Sequence, residues 1–458
     1  MGNKSILMFN KINRQPGKRF VKNLLDFSIR ENHYDIAIAG GGLVGTSMAC
    51  AVGKNSKLSE SKVILFESAS QKSFKKKAKD DEYSNRVVSI NPGSKKFLEN
   101  IGAWKFISDL RYKTVKKLQV WDACSDALIT FNDDLMKDVS YIVENDLILN
   151  ALEEVCSNLK NVTVKYESRI KKIVPPSDKN KMVHLEMENG DEYTCNLLVG
   201  ADGFKSKTRE VIGGQYLSWN YDQKGIVATV KLSEPTENVV AWQRFLPTGP
   251  IALLPLTNEL SSLVWSTETK KAEQLLGMNE ETFKDSLNDA FWKSYPKNEL
   301  VSSATASLDK MLSSLTLKSF GSHQLPPSVS SIVPGSRAAF PLGFGHSIKY
   351  YRPGIVLVGD AAHRIHPLAG QGVNLGFGDV ELLTNKLGDS VYNGNKIGCS
   401  RVLADYESER QREILPMLIT TDFLQKLYST SFAPVVLVRS LGLQITNALH
   451  PLKVRFLQ

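Results

Sequence analysis

Three glycines close to the start of the chain have the spacing of a phosphate-binding turn. The apolar run Ile36-Ala37-Ile38-Ala39 ends abruptly in Gly40-Gly41-Gly42-Leu43-Val44-Gly45, a GxGxxG pattern. Gly40 permits a tight turn, Gly42 lets the backbone approach a pyrophosphate, and Gly45 lets a helix pack closely on a strand. The N-terminus of the helix that follows would offer free N–H groups to the phosphates. The pattern favours dinucleotide binding over an ordinary glycine-rich turn.

A carboxylate also stands where a dinucleotide site needs one. Val63-Ile64-Leu65-Phe66 has the composition of a second buried strand, and Glu67 follows it directly. A carboxylate at this point can accept hydrogen bonds from an adenosine ribose. Its separation from Gly40 is longer than the usual ~20 residues, which a longer helix-to-strand connection would absorb. These two features predict a dinucleotide site without distinguishing NAD from FAD.

Two later stretches run from an apolar strand into an acidic turn. They are Leu197-Leu198-Val199-Gly200-Ala201-Asp202-Gly203 and Val358-Gly359-Asp360-Ala361-Ala362-His363. Either aspartate alone could be a strand-end cap. In this order, the three motifs resemble those of the aromatic-ring flavoprotein monooxygenases of the p-hydroxybenzoate hydroxylase type. The resemblance implies FAD as cofactor, with Asp202 and Gly203 near the flavin and the pyridine-nucleotide path, and with Gly359 and Asp360 at the FAD ribitol.

The residues after Asp360 suit the flavin ring itself. Pro367 and the neighbouring glycines form a bare backbone turn that can lie flat against an isoalloxazine ring. The next helix would direct its N-terminus at the pyrimidine edge, where it would stabilise the negative charge of the reduced ring. The predicted cofactor residues of this segment are Gly370, Gln371, Gly372 and Asn374. His366 and Pro367 are the catalytic candidates that face flavin or substrate, and no residue is identified as a base.

The two histidines of this segment also raise the question of a metal site. His363 and His366 are three residues apart, but no third ligand lies nearby in the sequence. The flavin interpretation already uses the whole loop. We therefore expect no metal here, and we expect His363 to be a structural histidine.

Longer stretches narrow the resemblance to one branch of this family, the mitochondrial monooxygenases of ubiquinone biosynthesis, from Tyr34 to Pro451. The stretches are Tyr83 to Ile90, Val120 to Ala123, Tyr141 to Asp146 and Ala241 to Pro250. This resemblance places Arg86 near the flavin, and it places Asn145 at the start of a helix near the cofactor.

The same resemblance implies a reaction and its partners. The expected reaction is hydroxylation of 3-polyprenyl-4-hydroxybenzoate at ring carbon 5 through a C4a-hydroperoxyflavin, with 2-methoxy-6-polyprenylphenol at carbon 1 as a related substrate. The implied partners are O2, mitochondrial ferredoxin with its reductase, and the other proteins of the ubiquinone-biosynthesis complex. The implied location is peripheral, on the matrix side of the inner membrane. Two alternatives stay open: a soluble phenol hydroxylase reduced by NADPH, and a non-catalytic prenyl-binding protein on the same fold.

Charge is concentrated at the beginning of the chain. The 458 residues include 57 Lys and Arg against 48 Asp and Glu, a net charge of +9. Seven basic residues and one acid in the first thirty positions account for +6 of it. The basic, amphipathic and nearly acid-free leader predicts a mitochondrial transit peptide rather than a plain basic tail, and it makes the high pI poor evidence for nucleic-acid binding.

Five separated cysteines without a CxxC pair indicate reduced thiols in an intracellular compartment.

The elements that must position these motifs form an α/β protein. We expect a Rossmann-type FAD-binding domain, an inserted, mainly antiparallel β substrate domain and a C-terminal helical region. The predicted boundaries are a leader at 1–33, the FAD-binding domain at 34–115, 140–215 and 335–400, the substrate domain at 116–139 and 216–334, and the helical region at 401–458. Tyr141 to Glu144 is predicted to open a helix, and the serine-rich residues 302–331 are predicted to be an exposed excursion. The apolar stretch 432–443 suits a membrane surface and core packing about equally.

Overall fold

The computed structural model describes residues 32–71, 83–125, 127–131, 138–177, 181–295, 299–314 and 324–448. Nearly all of the predicted leader lies outside these ranges, so the transit peptide stays a prediction.

Strands and helices alternate through the first half of the described chain, and helices dominate its end. The strands are β1 (His33–Ala39), β2 (Val63–Phe66), β3 (Val87–Ile90), β4 (Lys113–Val115), β5 (Lys117–Asp122), β6 (Leu128–Phe131), β7 (Ser140–Glu144), β8 (Val162–Lys165), β9 (Ile170–Val174), β10 (Val183–Met187), β11 (Glu192–Gly200), β12 (Tyr216–Leu232), β13 (Val240–Leu246), β14 (Gly249–Pro255), β15 (Leu260–Glu268), β16 (Val329–Ile332), β17 (Ala338–Ser347), β18 (Tyr351–Arg352), β19 (Ile355–Leu357) and β20 (His363–Arg364). The α-helices are α1 (Leu43–Lys54), α2 (Pro92–Asn100), α3 (Trp104–Leu110), α4 (Asn145–Ser157), α5 (Lys207–Ile212), α6 (Thr269–Gly277), α7 (Glu280–Trp292), α8 (Glu299–Ser314), α9 (Gly372–Tyr392), α10 (Ser400–Tyr428) and α11 (Ala433–Ala448). Short 3₁₀ turns lie at Ser56–Leu58, Gly359–Ala361 and Pro367–Ala369.

The first sheet has the parallel centre of a nucleotide-binding fold. Its order is β18-β19-β11-β1-β2-β8, with β10 paired to β11 and β9 paired to β10. The strands β19, β11, β1, β2 and β8 run parallel to one another. The central strands are continuous apolar runs because both faces are covered, with α1 packed against α4 and α9. The carboxyl ends of β1, β2, β11 and β19 therefore meet along one edge of the sheet.

The second sheet is almost entirely antiparallel. Its order is β20-β17-β12-β15-β14-β13-β5-β6, with β16 paired to β12, and only the β13–β5 pair among the described strands runs parallel. Helices α6 and α7 cover one face, where Trp265, Phe283 and Leu287 share a core. The opposite face carries Phe245, which shares a cluster with Leu368 and Tyr428 from outside the sheet. A third sheet, β3-β7-β4, has three strands.

Three local predictions differ from the structure. Tyr141 to Glu144 belongs to strand β7, and the helix begins at Asn145. Residues 299–314 form helix α8, which packs against α11 with Thr305 buried, so the part of the serine-rich stretch at 302–314 is not an exposed excursion, and its residues 315–323 lie outside the described ranges. Strand β17, which the predicted boundary at 335 places in the FAD-binding domain, pairs with β12 in the substrate sheet. The last two depend on contacts with distant segments, which a local pattern does not encode.

The end of the chain is helical, as predicted, up to residue 448. Arg439 of α11 forms a two-pronged ion pair with Asp122 of β5, with N–O distances of 2.8 and 3.0 Å. Both side chains are buried, so the pair ties the last helix to the substrate sheet. In the described ranges, the helices are too short or too polar to cross a bilayer.

Candidate functional site

The glycine turn between β1 and α1 leaves open space in front of a helix N-terminus. Gly40 has φ +102°, and a Cβ on it would lie 2.5 Å from the carbonyl oxygen of Ala201. A Cβ on Gly45 would lie 1.8 Å from the carbonyl oxygen of Gly40, so this glycine serves helix–strand packing. A Cβ on Gly42 would meet nothing within 4 Å. Helix α1 has no side-chain cap and no acidic residue in its first turn, so its free N–H groups suit an anion.

Glu67 lies against this turn. Its Oε2 accepts a hydrogen bond from the backbone N–H of Gly41 at 2.7 Å, and its Oε1 accepts one from Ala69 at 2.6 Å. A small pocket beside it is lined by Thr46, Cys156 and Tyr166, among others. A carboxylate oxygen can accept more than one hydrogen bond, so Glu67 keeps the capacity to bind ribose hydroxyls.

The turn after β19 meets the same helix. Gly359 has φ +61°, and a Cβ on it would lie 3.1 Å from the side chain of Val44 in α1. The next side chain, Asp360, is exposed, and none of the described residues donates a hydrogen bond to its carboxylate. Asp360 is therefore free to accept hydrogen bonds from hydroxyl groups of a ligand.

Asp202 accepts hydrogen bonds from its own turn. Its carboxylate accepts hydrogen bonds from Ser206 Oγ at 2.5 Å and from Thr208 N and Oγ1 at 3.0 Å each. These bonds fix the start of α5, for which Ser206 is the N-cap. Gly203, at φ +76°, completes the turn. The structure gives Asp202 a capping role, and its contact with the flavin stays a prediction.

The segment that leads into α9 is the fourth part of the candidate site, after the glycine turn and the turns of Asp360 and Asp202. Pro367 begins a 3₁₀ turn that ends at Gly370 with φ +61°. Helix α9 starts at Gly372 behind Gln371, with no side-chain cap and no acidic residue in its first turn. The Asn374 side chain donates to Ser89 O at 2.9 Å and accepts from Asn91 N at 3.1 Å, which ties this segment to β3. A second uncapped helix N-terminus is thus held in a fixed place.

His366 is buried beneath this segment. Its Nε2 lies 3.2 Å from Gln223 Oε1, and its ring meets the Tyr221 ring edge-on at 5.0 Å. Because an amide oxygen only accepts, the proton sits on Nε2, and Nδ1 has no partner among the described residues. Burial lowers the pKa of His366 from 6.5 to about 4, so the ring is neutral near pH 7. The structure gives His366 a supporting position, and its contact with flavin or substrate stays a prediction.

His363 is a structural histidine. Its Nε2 lies 2.7 Å from Asp379 Oδ2, and both side chains are buried. The two histidines of this segment have different partners. Asp379 was missed at the sequence level, although one signal was present: it is an acidic residue close to the apolar residues Phe377 and Val380, which are buried in α9.

Arg86 and Asn145 are joined through their backbones. Asn145 N donates to Arg86 O at 2.9 Å, and Asn145 begins α4 where the resemblance expects a helix. The Arg86 side chain is exposed. Their contacts with the cofactor stay predictions.

These residues fit FAD. Two helix N-termini suit the pyrophosphate and the electron-rich edge of the flavin, and two carboxylates, Glu67 and Asp360, suit the hydroxyl groups of ribose and ribitol. The side-chain-free space at Gly42 suits the close approach of a phosphate. The turns are brought together by α1, which contacts both the Gly359 turn and the glycine turn.

Comparison with known proteins agrees with this arrangement. The family model described as an FAD binding domain matches residues 33–313 and 344–417. The protein named "Ubiquinone biosynthesis monooxygenase COQ6, mitochondrial" from Homo sapiens is 48% identical over 426 residues, which cover 92% of this chain and 91% of that protein. The protein of the same name from Drosophila melanogaster is 45% identical, with 94% and 90% covered.

Solved structures share the fold at low sequence identity. The probable FAD-dependent monooxygenase PqsL from Pseudomonas aeruginosa has a TM-score of 0.66 at 18% identity, with 90% of this chain and 100% of that chain covered. The p-nitrophenol 4-monooxygenase PnpA from Pseudomonas putida has a TM-score of 0.67 at 16% identity, with 93% and 97% covered. The fold and the FAD cofactor are therefore as predicted. The chain belongs to the FAD binding domain family and, within it, to the mitochondrial ubiquinone biosynthesis monooxygenases.

Proposed function

We propose that the protein hydroxylates the aromatic ring of a polyprenylated ubiquinone precursor. The proposed substrate is 3-polyprenyl-4-hydroxybenzoate, hydroxylated at ring carbon 5, with 2-methoxy-6-polyprenylphenol at carbon 1 as a related reaction. The observation that carries the proposal is the convergence of the glycine turn, the Asp360 turn and the Pro367–Gly372 segment beside an apolar sheet face. The names of the close relatives support the same pathway.

The sheet face next to the Pro367–Gly372 segment suits a greasy aromatic substrate. Gln243 Nε2 donates to Leu368 O at 3.1 Å, so this face of β13 looks toward the segment. Cross-strand register places Ala252 and Val264 on the same face as Gln243. In β14 half-buried and buried residues alternate, so this central strand keeps one face only partly covered. An apolar, partly covered surface in the middle of a sheet is a place for a ligand.

The apolar surface continues toward the C-terminal helices. Phe245 of β13 stacks on Tyr428 of α10 at 3.9 Å between ring centroids, and Leu424 and Leu443 pack around them. This cluster borders Leu368 of the segment next to the predicted flavin position. A prenyl chain attached to a ring near Leu368 would find apolar side chains along this direction.

The side chains near the reacting centre hold the substrate and the flavin in place and shield them from water. They do not react themselves. FAD, when bound and reduced, supplies the activation of O2 for transfer of one oxygen atom to the ring. The N-terminus of α9 stabilises negative charge at the flavin edge, and the apolar side chains around Leu368 exclude water. His366 is neutral near pH 7, because burial lowers its pKa to about 4, so it has no imidazolium proton to donate as a general acid.

Lipid analysis of cells that lack the protein tests the proposal. We expect a prenylated precursor that lacks one ring hydroxyl to accumulate, and we expect the wild-type gene to remove it. Asp360→Ala should fail to remove it, whereas the exposed carboxylate control Asp389→Ala should succeed, because Asp389 only pairs with Lys57 on the surface. Normal quinone levels in the deleted cells, or full rescue by Asp360→Ala, would contradict the proposal.

The proposed electron donor is mitochondrial ferredoxin with its reductase, together with the wider ubiquinone-biosynthesis complex. The mitochondrial names of the relatives support this choice. Stopped-flow reduction of the FAD-loaded protein separates the alternatives. Rapid reduction by ferredoxin and slow reduction by NADPH are expected, and the reverse order would favour a directly reduced phenol hydroxylase.

The proposed location is the matrix face of the mitochondrial inner membrane, with peripheral contact. Five large apolar side chains are exposed on and between α10 and α11, namely Ile419, Phe423, Phe432, Val438 and Ile445. Flotation with vesicles of phosphatidylcholine and cardiolipin tests this contact. The triple variant Phe423→Ser, Phe432→Ser and Val438→Ser should float several-fold less than wild type, whereas the control Leu110→Ser with Tyr392→Ser, also exposed apolar positions, should float normally. Equal flotation of the two variants would contradict the proposed surface.

A further inference from the structure

A buried charge cluster lies directly behind the Gly359–Asp360 turn. Asp379 of α9 has no exposed surface, and its Oδ2 accepts hydrogen bonds from Gly359 N and from His363 Nε2, each at 2.7 Å. Its Oδ1 accepts a hydrogen bond from Nε of Arg410 in α10. The carboxylate therefore joins the turn, the strand that follows it and helix α10.

The cluster is fully satisfied as an ionised group. Burial alone would raise the pKa of Asp379, but the charges of His363 and Arg410 and their hydrogen bonds hold it below its usual value. Arg410 is held in turn, since its Nη2 donates to Leu375 O at 2.7 Å. A Cβ on Gly378 would lie 2.8 Å from this Nη2, so the guanidinium occupies space that a side chain at 378 would fill.

The first half of α10 makes a second contact close to the Gly359–Asp360 turn. Tyr406 is buried, and its hydroxyl donates to Leu357 O at 3.1 Å in the last residue of β19. Gly359 itself adopts φ +61°, a conformation in which its N–H points at Asp379 while the next residue is exposed. The orientation of Asp360 thus depends on a hydrogen bond that its own side chain does not make.

We propose that Asp379 is a positioning residue for the cofactor: through the backbone N–H of Gly359 it holds the turn in the conformation that presents the Asp360 carboxylate to the ribitol of FAD. Arg410 is the counter-ion that keeps this carboxylate ionised in the core, so helix α10 takes part in the geometry of the FAD site. The inference rests on the proposed contact between Asp360 and FAD.

Binding titrations of the FAD-free protein with FAD and with ADP test this role. ADP matches the part of FAD that the glycine turn and Glu67 bind, and it lacks the ribitol that Asp360 contacts. Asp379→Asn should raise the Kd for FAD at least tenfold and change the Kd for ADP less than twofold. A loss of global stability alone would weaken the binding of FAD and of ADP to the same extent.

The matched control is Asp122→Asn. Asp122 is an equally buried carboxylate with a two-pronged arginine partner, Arg439, away from the turn. It should lower the thermal midpoint as Asp379→Asn does, but leave both Kd values within twofold of wild type. The positioning role would be overturned if the two substitutions raised the Kd for FAD equally, or if Asp379→Asn weakened the binding of FAD and ADP equally.

A second pair of variants decides the matter if Asp379→Asn does not fold. His363→Leu removes one donor to Asp379 without adding charge, and His363→Gln can restore a donor through its side-chain amide. A Kd for FAD at least threefold higher in His363→Leu and restored in His363→Gln supports the proposal, and unchanged FAD binding in His363→Leu overturns it.

Asp360→Ala serves as the reference variant. If Asp360→Ala binds FAD normally, the proposed contact between Asp360 and FAD is wrong. If Asp360→Ala binds FAD weakly and Asp379→Asn binds it normally, only the role of Asp379 is refuted.

Discussion

At the scale of single residues, the three glycines of the first turn have different roles, and the packing agrees with the roles predicted for Gly40 and Gly45, whereas the pyrophosphate contact of Gly42 stays a prediction. Gly40 and Gly45 lie against backbone oxygens and allow the turn and the helix to exist. A Cβ on Gly42 would meet nothing within 4 Å, so the fold itself does not require glycine there and the space is available to a ligand.

Gly42→Val should therefore separate folding from cofactor binding. Its φ of -72° and ψ of -174° suit any residue, so the FAD-free protein should keep its circular dichroism spectrum and its thermal midpoint. FAD affinity should fall at least a hundredfold, measured by quenching of flavin fluorescence. Gly277→Val is the control, because a Cβ there also meets nothing within 4 Å and the position is remote from the turn. Normal FAD binding by Gly42→Val would contradict the site.

The buried neutral ring of His366 makes stability depend on pH. Its pKa is lowered by burial from 6.5 to about 4, so the unfolded chain takes up a proton over this range before the folded protein does. This contribution to stability is complete above pH 6.5 and is lost as the pH falls toward 4, by about 3 kcal/mol. Urea unfolding of the FAD-free protein at pH 7.0 and 4.5 should show a smaller loss in His366→Gln than in wild type. The same pH dependence in both proteins would contradict the buried, neutral state.

At the scale of elements, local patterns predict what local physics determines. The apolar runs of β1 and β2, their terminal Gly40 and Glu67, and the antiparallel strands β12 to β14 are all visible in the sequence, because burial on both faces or on alternate residues leaves a periodic trace. No such trace marks the long-range contacts. These are the pairing of β17 with β12, the parallel pairing of β5 with β13, and the ion pair between Arg410 of α10 and Asp379 of α9. They join segments far apart in the chain, and only the folded chain shows them.

The ion pair between β5 and α11 shows what such a long-range contact contributes. Arg439 and Asp122 are both buried, so removal of one partner leaves an uncompensated charge in the core. Arg439→Met should lower the free energy of unfolding by about 3 kcal/mol in urea titrations. The double variant Arg439→Met with Asp122→Leu should lose clearly less than the sum of the two single changes. Strict additivity would show that the pair is not coupled.

At the scale of the whole molecule, the candidate site is assembled from segments that span more than three hundred residues of the chain. Gly40, Glu67, Asp360 and the start of α9 converge because the parallel strands end at one edge of the first sheet, with the open face of the second sheet beside them. The resemblance of motifs was sufficient to predict this convergence. It was not sufficient to predict that the Asp202 carboxylate accepts hydrogen bonds from its own turn, or that Arg410 of helix α10 pairs with Asp379 behind the Gly359 turn.

The activity proposed for this protein is the transfer of one atom of O2 to the ring of a polyprenylated phenol. The most direct measurement is a single turnover of the FAD-loaded protein, reduced with one equivalent of dithionite, mixed with 3-polyprenyl-4-hydroxybenzoate under ¹⁸O₂ and analysed by mass spectrometry. We predict one ¹⁸O atom in the ring product, at carbon 5, and none when the label is supplied as H₂¹⁸O. Reoxidation of the flavin with no labelled product would contradict the proposed hydroxylation.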